Sequence, residues 1–129
     1  MALEIEVNRK AGLVVVTGSP PLEAQDLMDH AKELLRIPDR PYRQLVDLRG
    51  HPDPLVDMES VRKVAEFLRA ADSGDDSSRG KLALVADTHA LYGTLRLFAA
   101  HREHESVEIN VFRCLEDALR WLEVDPDSL

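Results

Sequence analysis

Leu82-Ala83-Leu84-Val85-Ala86, then Asp87-Thr88-His89, then Tyr92-Gly93-Thr94-Leu95-Arg96-Leu97-Phe98 is the stretch whose reading decides the fold. Five consecutive apolar residues bounded by polar ones predict a buried strand. The residues after it place Leu91, Leu95, Phe98 and Ala99 on one face of a helix, near Ala90–Arg102. A buried strand that empties at once into a helix is the repeating unit of a parallel sheet. In such sheets ligands and partners gather at the carboxyl ends of the strands, beside helix N-termini. The junction at 87–89 is therefore the expected working edge.

Outward from it the same alternation recurs. Leu3, Ile5 and Val7 alternate with Glu4, Glu6 and Asn8, and a turn over Arg9–Gly12 leads into Leu13-Val14-Val15-Val16. This predicts a β-hairpin with a half-exposed first strand and a central second strand. Ala24, Leu27, Met28, Ala31, Leu34 and Leu35 fall three and four apart, one buried stripe of a helix. Ser19 and the prolines mark its start, Pro38 and Pro41 its end, and Tyr42 to Leu48 is the next strand. A second helix is predicted from about Asp57, its N-cap, with Met58, Val61, Val64, Ala65, Leu68 and Ala71 on one face. Residues 72–80 are rich in turn formers and read as a surface loop. Val107, Ile109 and Val111 alternate as a last strand, and Leu115–Leu122 is a short amphipathic helix carrying Trp121 as core. The expectation is a single α/β domain of order ββαβαβαβα, a mixed, mostly parallel five-stranded sheet with helices packed on it.

The chain has 129 residues, 44% hydrophobic and 31% charged, enough for one core without staples. With 24 acidic against 16 basic residues its formal charge is −8. That field repels phosphate backbones, so no nucleic-acid partner is expected. Apolar runs of about five residues fall far short of the ~20 that a spanning helix needs, so no membrane insertion is expected. The single Cys114 suits a reducing compartment, and its expected role is packing between the last strand and the last helix. Together these predict a cytoplasmic protein.

Tyr42-Arg43-Gln44-Leu45-Val46-Asp47-Leu48-Arg49, the Tyr92–Phe98 segment, and Val111-Phe112 followed by Glu116-Asp117-Ala118-Leu119-Arg120-Trp121-Leu122 together resemble the SpoIIAA-like branch of the STAS-type domains. That family is named for sulfate transporters and anti-sigma-factor antagonists. The resemblance spans nearly the whole chain and implies a non-catalytic regulatory or protein-interaction domain. Relatives carry an Asp-Ser-Ser-Gly-like segment at a helix start, where a serine is phosphorylated to switch binding. The matching stretch here is Asp57-Met58-Glu59-Ser60, with Glu59 at the acceptor position and Ser60 in place of the glycine, so neither that switch nor an anti-sigma partner transfers. Ser60 is a shifted acceptor or an ordinary first-turn residue; a phosphate there would be favoured by free N–H groups and the helix dipole.

The residues themselves nominate three further groups. Asp47, with Arg49 and His51 just beyond, and Asp87, with Thr88 and His89, end two strands that converge on one cleft if the strands are neighbours. Two carboxylates there could hold a cation or act as acid and base in a hydrolase with His89; alternatively they cap helices or tie loops to basic side chains. Tyr92 and Arg96, four apart on one helix, can touch; Arg96 could meet an anion beside the Tyr92 wall, with Gly93 allowing close approach. His101 and His104 lack further ligands at metal spacing, so no metal site is expected. A receiver domain is a poor match, given the missing acidic pair after the first strand and Arg113 where a lysine belongs. Nucleophile-elbow, Walker and dinucleotide motifs are absent, so no cofactor is expected. The leading expectation is partner docking at the strand-end loops, by a protein or a small anionic ligand, with homodimerisation through an exposed helix or sheet edge. The alternative is a small-molecule or lipid-binding domain with a nonpolar ligand held between helices and sheet.

Overall fold

A computed structural model describes residues 3–18, 24–34, 36, 43–50, 59, 62–64, 66–67, 80–101, 108–125 and 127. Their elements run β1 (Leu3–Asn8), β2 (Leu13–Gly18), α1 (Ala24–Leu34), β3 (Arg43–Asp47), α2, whose described residues are 59, 62–64 and 66–67, β4 (Lys81–Val85), α3 (His89–His101), β5 (Glu108–Phe112) and α4 (Leu115–Leu122). The order and the mixed sheet match the expectation; Asp57 and Ser60, like His51 and His104, lie outside the described residues.

The hairpin closes through residues 9–12, where Asn8 Oδ1 accepts the Ala11 N–H at 3.0 Å and Gly12 takes the left-handed conformation (φ 66°) that a side chain would strain. Strand order is β1-β2-β3-β4-β5, with β1 antiparallel to β2 and every later neighbour parallel. Each crossover therefore advances one strand in the same direction. Right-handed connections then place the crossover helices on one face. Packing agrees: Leu27 of α1 and Leu91, Tyr92, Leu95 and Phe98 of α3 join Val14, Val16, Val46, Leu82 and Leu84 in one core layer. The α4 helix follows the last strand and covers the other face, where Ala118, Leu119 and Leu122 pack on Leu13, Leu45, Ala83 and Val85.

That division explains the hydropathy pattern. The central strand β4 sends Leu82 and Leu84 to one layer and Ala83 and Val85 to the other, hence its unbroken apolar run. In β1 only Leu3, Ile5 and Val7 meet a layer, while Glu4 and Glu6 are exposed. At the far edge, β5 bonds to β4 through Glu108 N–H to Gly80 O and Ala86 N–H to Phe112 O, which turns the Val111 N–H outward. Asn110 Oδ1 accepts that N–H at 2.9 Å, removing a donor from the exposed edge.

The amino end of the parallel strands is clamped. Arg43, first residue of β3, donates from Nη1 to Leu122 O (2.8 Å) and Glu123 O (3.2 Å), and from Nη2 to Ala11 O (2.7 Å). Lys81, its neighbour in register, donates to Trp121 O at 3.3 Å with its ammonium 5.2 Å from the Trp121 ring centroid. Two cations thus sit on the carbonyl end of α4, where the helix dipole and unpaired acceptors favour positive charge. The same helix ends in a Schellman turn: Glu123 N–H bonds to Arg120 O (3.1 Å), Val124 N–H to Leu119 O (3.0 Å), and Glu123 adopts φ 60°. Trp121 is half-buried against Phe112, ring centroids 5.7 Å apart. Cys114 departs from expectation: it is exposed. It occupies the extended N-cap position of α4, which directs its side chain away from the layer that Leu115 and Ala118 join.

Candidate functional site

The opposite end of the sheet holds Asp47, Arg49, Asp87, Thr88 and Tyr92 of the residues nominated from sequence. Parallel pairing sets Asp47 beside Val85, and Leu48 N–H extends the ladder to Val85 O at 2.9 Å, so the chain leaves β3 and β4 side by side. Asp47 turns onto Arg49. Its Oδ1 accepts from Arg49 Nε and its Oδ2 from Nη2, both at 2.9 Å, and Oδ1 also accepts the Arg49 backbone N–H at 3.2 Å. Asp87 Oδ1 accepts the Gly50 N–H at 3.1 Å, and Gly50 sits at φ 91°. The hydrogen bonds that Arg49 donates to Asp47 raise the Arg49 pKa; desolvation opposes this, and the charges of Asp47 and Asp87 add to it.

Asp47, Arg49 and Asp87 are therefore together, as a strap across the 48–50 loop. Of the two sequence-based alternatives, loop-tying describes this geometry. His89 takes no part: its Nδ1 faces Arg113 Nη1 at 3.3 Å, and among the described residues no hydrogen bond joins it to either carboxylate. Nor, among the described residues, does any group of three or more His, Cys, Asp or Glu side chains form a metal cage.

Thr88 is the N-cap of α3. Its Oγ1 accepts the Leu91 N–H at 3.4 Å and its carbonyl accepts the Tyr92 N–H at 3.0 Å, so the helix starts at His89. Tyr92 packs its half-buried ring against the α1–α3 core layer and exposes the rest at the rim. Arg96 Nη1 donates to Tyr92 Oη at 3.4 Å, the pairing expected from a spacing of four. Glu59 stands apart, exposed, with Arg62 at 3.8 Å and Lys63 at 4.0 Å on its own helix. Such exposed pairs contribute little.

Two features of this surface were not read from sequence. Arg113, immediately after β5, has its guanidinium carbon 5.3 Å from the Tyr92 ring centroid. The signal was topological: a residue just past the end of a parallel neighbour of β4 must emerge at the same rim as Asp87 and His89. The other is Leu97, 47% exposed on the outer face of α3, where Ala90, Gly93 and Ala100 are exposed beside it. A Cβ added at Gly93 would meet nothing within 4 Å, so the glycine serves no close approach inside the chain.

Taken together, fold and site define a small α/β domain with a clamped amino-end pole and an open carboxyl-end rim. No family model, no curated protein and no solved structure matches the chain. Among the described residues no helix is long and apolar enough to cross a membrane.

Proposed function

We propose that this chain is a non-catalytic, cytoplasmic regulatory or protein-interaction domain of the SpoIIAA-like STAS type, which docks a partner on the rim where β3 and β4 end and α3 begins. Support for the family comes from the motif resemblance together with an element order that agrees with it. Support for docking rests on one observation above the others: among the described residues Leu97 is the large apolar side chain left exposed, and Ala90, Gly93 and Ala100 flatten the helix face around it. Such a face, spaced three and four apart, suits a partner element laid along α3. Arg96 borders it, supplying the polar rim that interfaces carry. The strand-end carboxylates that an enzyme would need free are tied to Arg49 and Gly50.

Affinity capture from the native cell, run in parallel with wild-type protein and Leu97→Glu, tests the reading. Proteins retained by wild type are expected to be lost with Leu97→Glu, whose circular dichroism stays native because the site is exposed. Identical captured sets from both would refute docking on α3. A nonpolar ligand carried through native mass spectrometry would favour the cavity alternative instead.

A further inference from the structure

Tyr92 carries more positive charge than its core role requires. The Arg96 and Arg113 guanidinium carbons lie 5.9 Å and 5.3 Å from its ring centroid. Arg96 uses one donor on Tyr92 Oη and Arg113 one on His89 Nδ1, which leaves most of the five N–H groups on each fork unspent. By contrast, Arg49, Arg62 and Arg120 each face a carboxylate, and Arg43 is spent on three carbonyls. Neither Arg96 nor Arg113 has a carboxylate partner among the described residues. Two like charges are thus assembled on one ring, with no carboxylate paired to either among the described residues, in a chain whose net charge is −8.

The first turn of α3 contains no acidic residue. Thr88 satisfies the Leu91 and Tyr92 N–H groups, and among the described residues no partner is bonded to the His89 or Ala90 N–H. Asp87, the nearest carboxylate along the chain, is held on Gly50.

We infer that Arg96, Tyr92 and Arg113 form a receptor for a phosphate monoester, with the two guanidinium forks gripping the phosphate oxygens and the tyrosine ring holding the forks in place. The inference rests on the docking reading and names what the ligand presents at that rim. A single carboxylate saturates one arginine fork, whereas a phosphate monoester carries about −1.5 to −2 charge and three acceptor oxygens, enough for both. The ester has two possible sources, a free small molecule or a phosphorylated side chain of the docked partner.

The test is an NMR titration of the ¹⁵N-labelled chain at low salt with inorganic phosphate, phenyl phosphate, a phosphoserine peptide and, as the monoanionic control, acetate. Saturable shifts are expected for the His89, Ala90, Tyr92 and Arg113 amides with the phosphates and not with acetate. Arg96→Gln and Arg113→Gln should each weaken phosphate binding about tenfold, the worth of one charge-assisted hydrogen bond, while Tyr92→Phe, which keeps the ring, retains it. Both arginines are exposed, so the variants keep the fold. Absence of saturable shifts, or shifts that survive in the double arginine variant, would overturn the inference. Tighter binding of the phosphopeptide than of inorganic phosphate supports the partner as source, and equal binding supports the free ester. Since Leu97 lies outside the cluster, a partner lost with Leu97→Glu but held by the double arginine variant would keep the docking reading and reject this one.

Discussion

Replacing Arg43 by methionine should be among the most damaging single changes at the amino end of the sheet, although Arg43 itself is only half-buried. Methionine keeps the apolar stem and removes the guanidinium, and with it three hydrogen bonds of 2.7–3.2 Å to Ala11 O, Leu122 O and Glu123 O. A hydrogen bond from a charged group contributes about 1.5–3 kcal/mol, but these are partly exposed, share one side chain and can be replaced in part by water, so their sum is discounted to about 2–4 kcal/mol. Against a total stability of about 5–15 kcal/mol, that is a large fraction. Urea titration should show the midpoint falling by roughly 1–2 M at an unchanged slope. Trp121, the single tryptophan, sits in α4 beside the clamp, so its fluorescence reads the affected helix while far-ultraviolet circular dichroism reads the whole fold. Arg43→Lys should recover less than half of the loss, because one ammonium cannot span carbonyls from the hairpin turn and from the end of α4. A loss below about 0.5 kcal/mol for Arg43→Met, the size of an ordinary surface change, would refute the clamp.

Gly93→Ala should stabilise the fold by about 1 kcal/mol in thermal or urea unfolding, because the position is an exposed helix interior with open space where the methyl would go; destabilisation would show that something does approach it. His30, on α1, has a buried Nδ1 without a hydrogen-bond partner, and burial lowers its pKa from 6.5 to about 4. Between those values the unfolded chain binds the extra proton, so this contribution is complete above pH 6.5 and is lost as pH falls toward 4. Allowing for partial exposure, the loss at pH 5 is about 1–2 kcal/mol. His30→Met should therefore lose less stability than wild type between pH 7 and pH 5 in urea titrations; equal losses would count against the buried neutral imidazole.

How much was legible in the sequence depended on whether a feature was local or long-range. The β4 run, the β1 alternation and the stripes of α3 and α4 each report burial of one residue against its own layer, and all are visible within ten residues of sequence. Arg43 is different: its partners lie 79 and 80 positions away at the end of α4 and 32 away in the hairpin, and only the strand register brings them together. The tie of Arg113 to Tyr92 was hidden for the same reason, since it follows from β5 lying parallel beside β4. Thr88 and Cys114 show a subtler loss. Both precede helices, yet Thr88 caps through its hydroxyl while Cys114 makes no side-chain cap bond, a difference of side-chain chemistry rather than of pattern.

The two poles of the sheet use their charge in opposite ways, and this is why the rim, not the clamp, is the place to look for a ligand. Arg43 and Lys81 meet carbonyls that have no other acceptor role to play, so their charge is neutralised by the end of α4 and the amino pole is electrostatically closed. At the carboxyl pole Asp47 is paired with Arg49, whereas Asp87 keeps its charge and accepts only the neutral Gly50 N–H. Arg96 and Arg113, gathered on Tyr92, have no carboxylate partner among the described residues. Were Asp87 released from Gly50, it would stand beside the start of α3 and compete with any incoming anion. Asp87→Asn therefore separates the two effects: it keeps an acceptor for the Gly50 N–H, removes the negative field, and should tighten phosphate binding at Arg96 and Arg113. An unchanged or weaker affinity in that variant would refute the claim that the Asp87 charge opposes the phosphate at this rim.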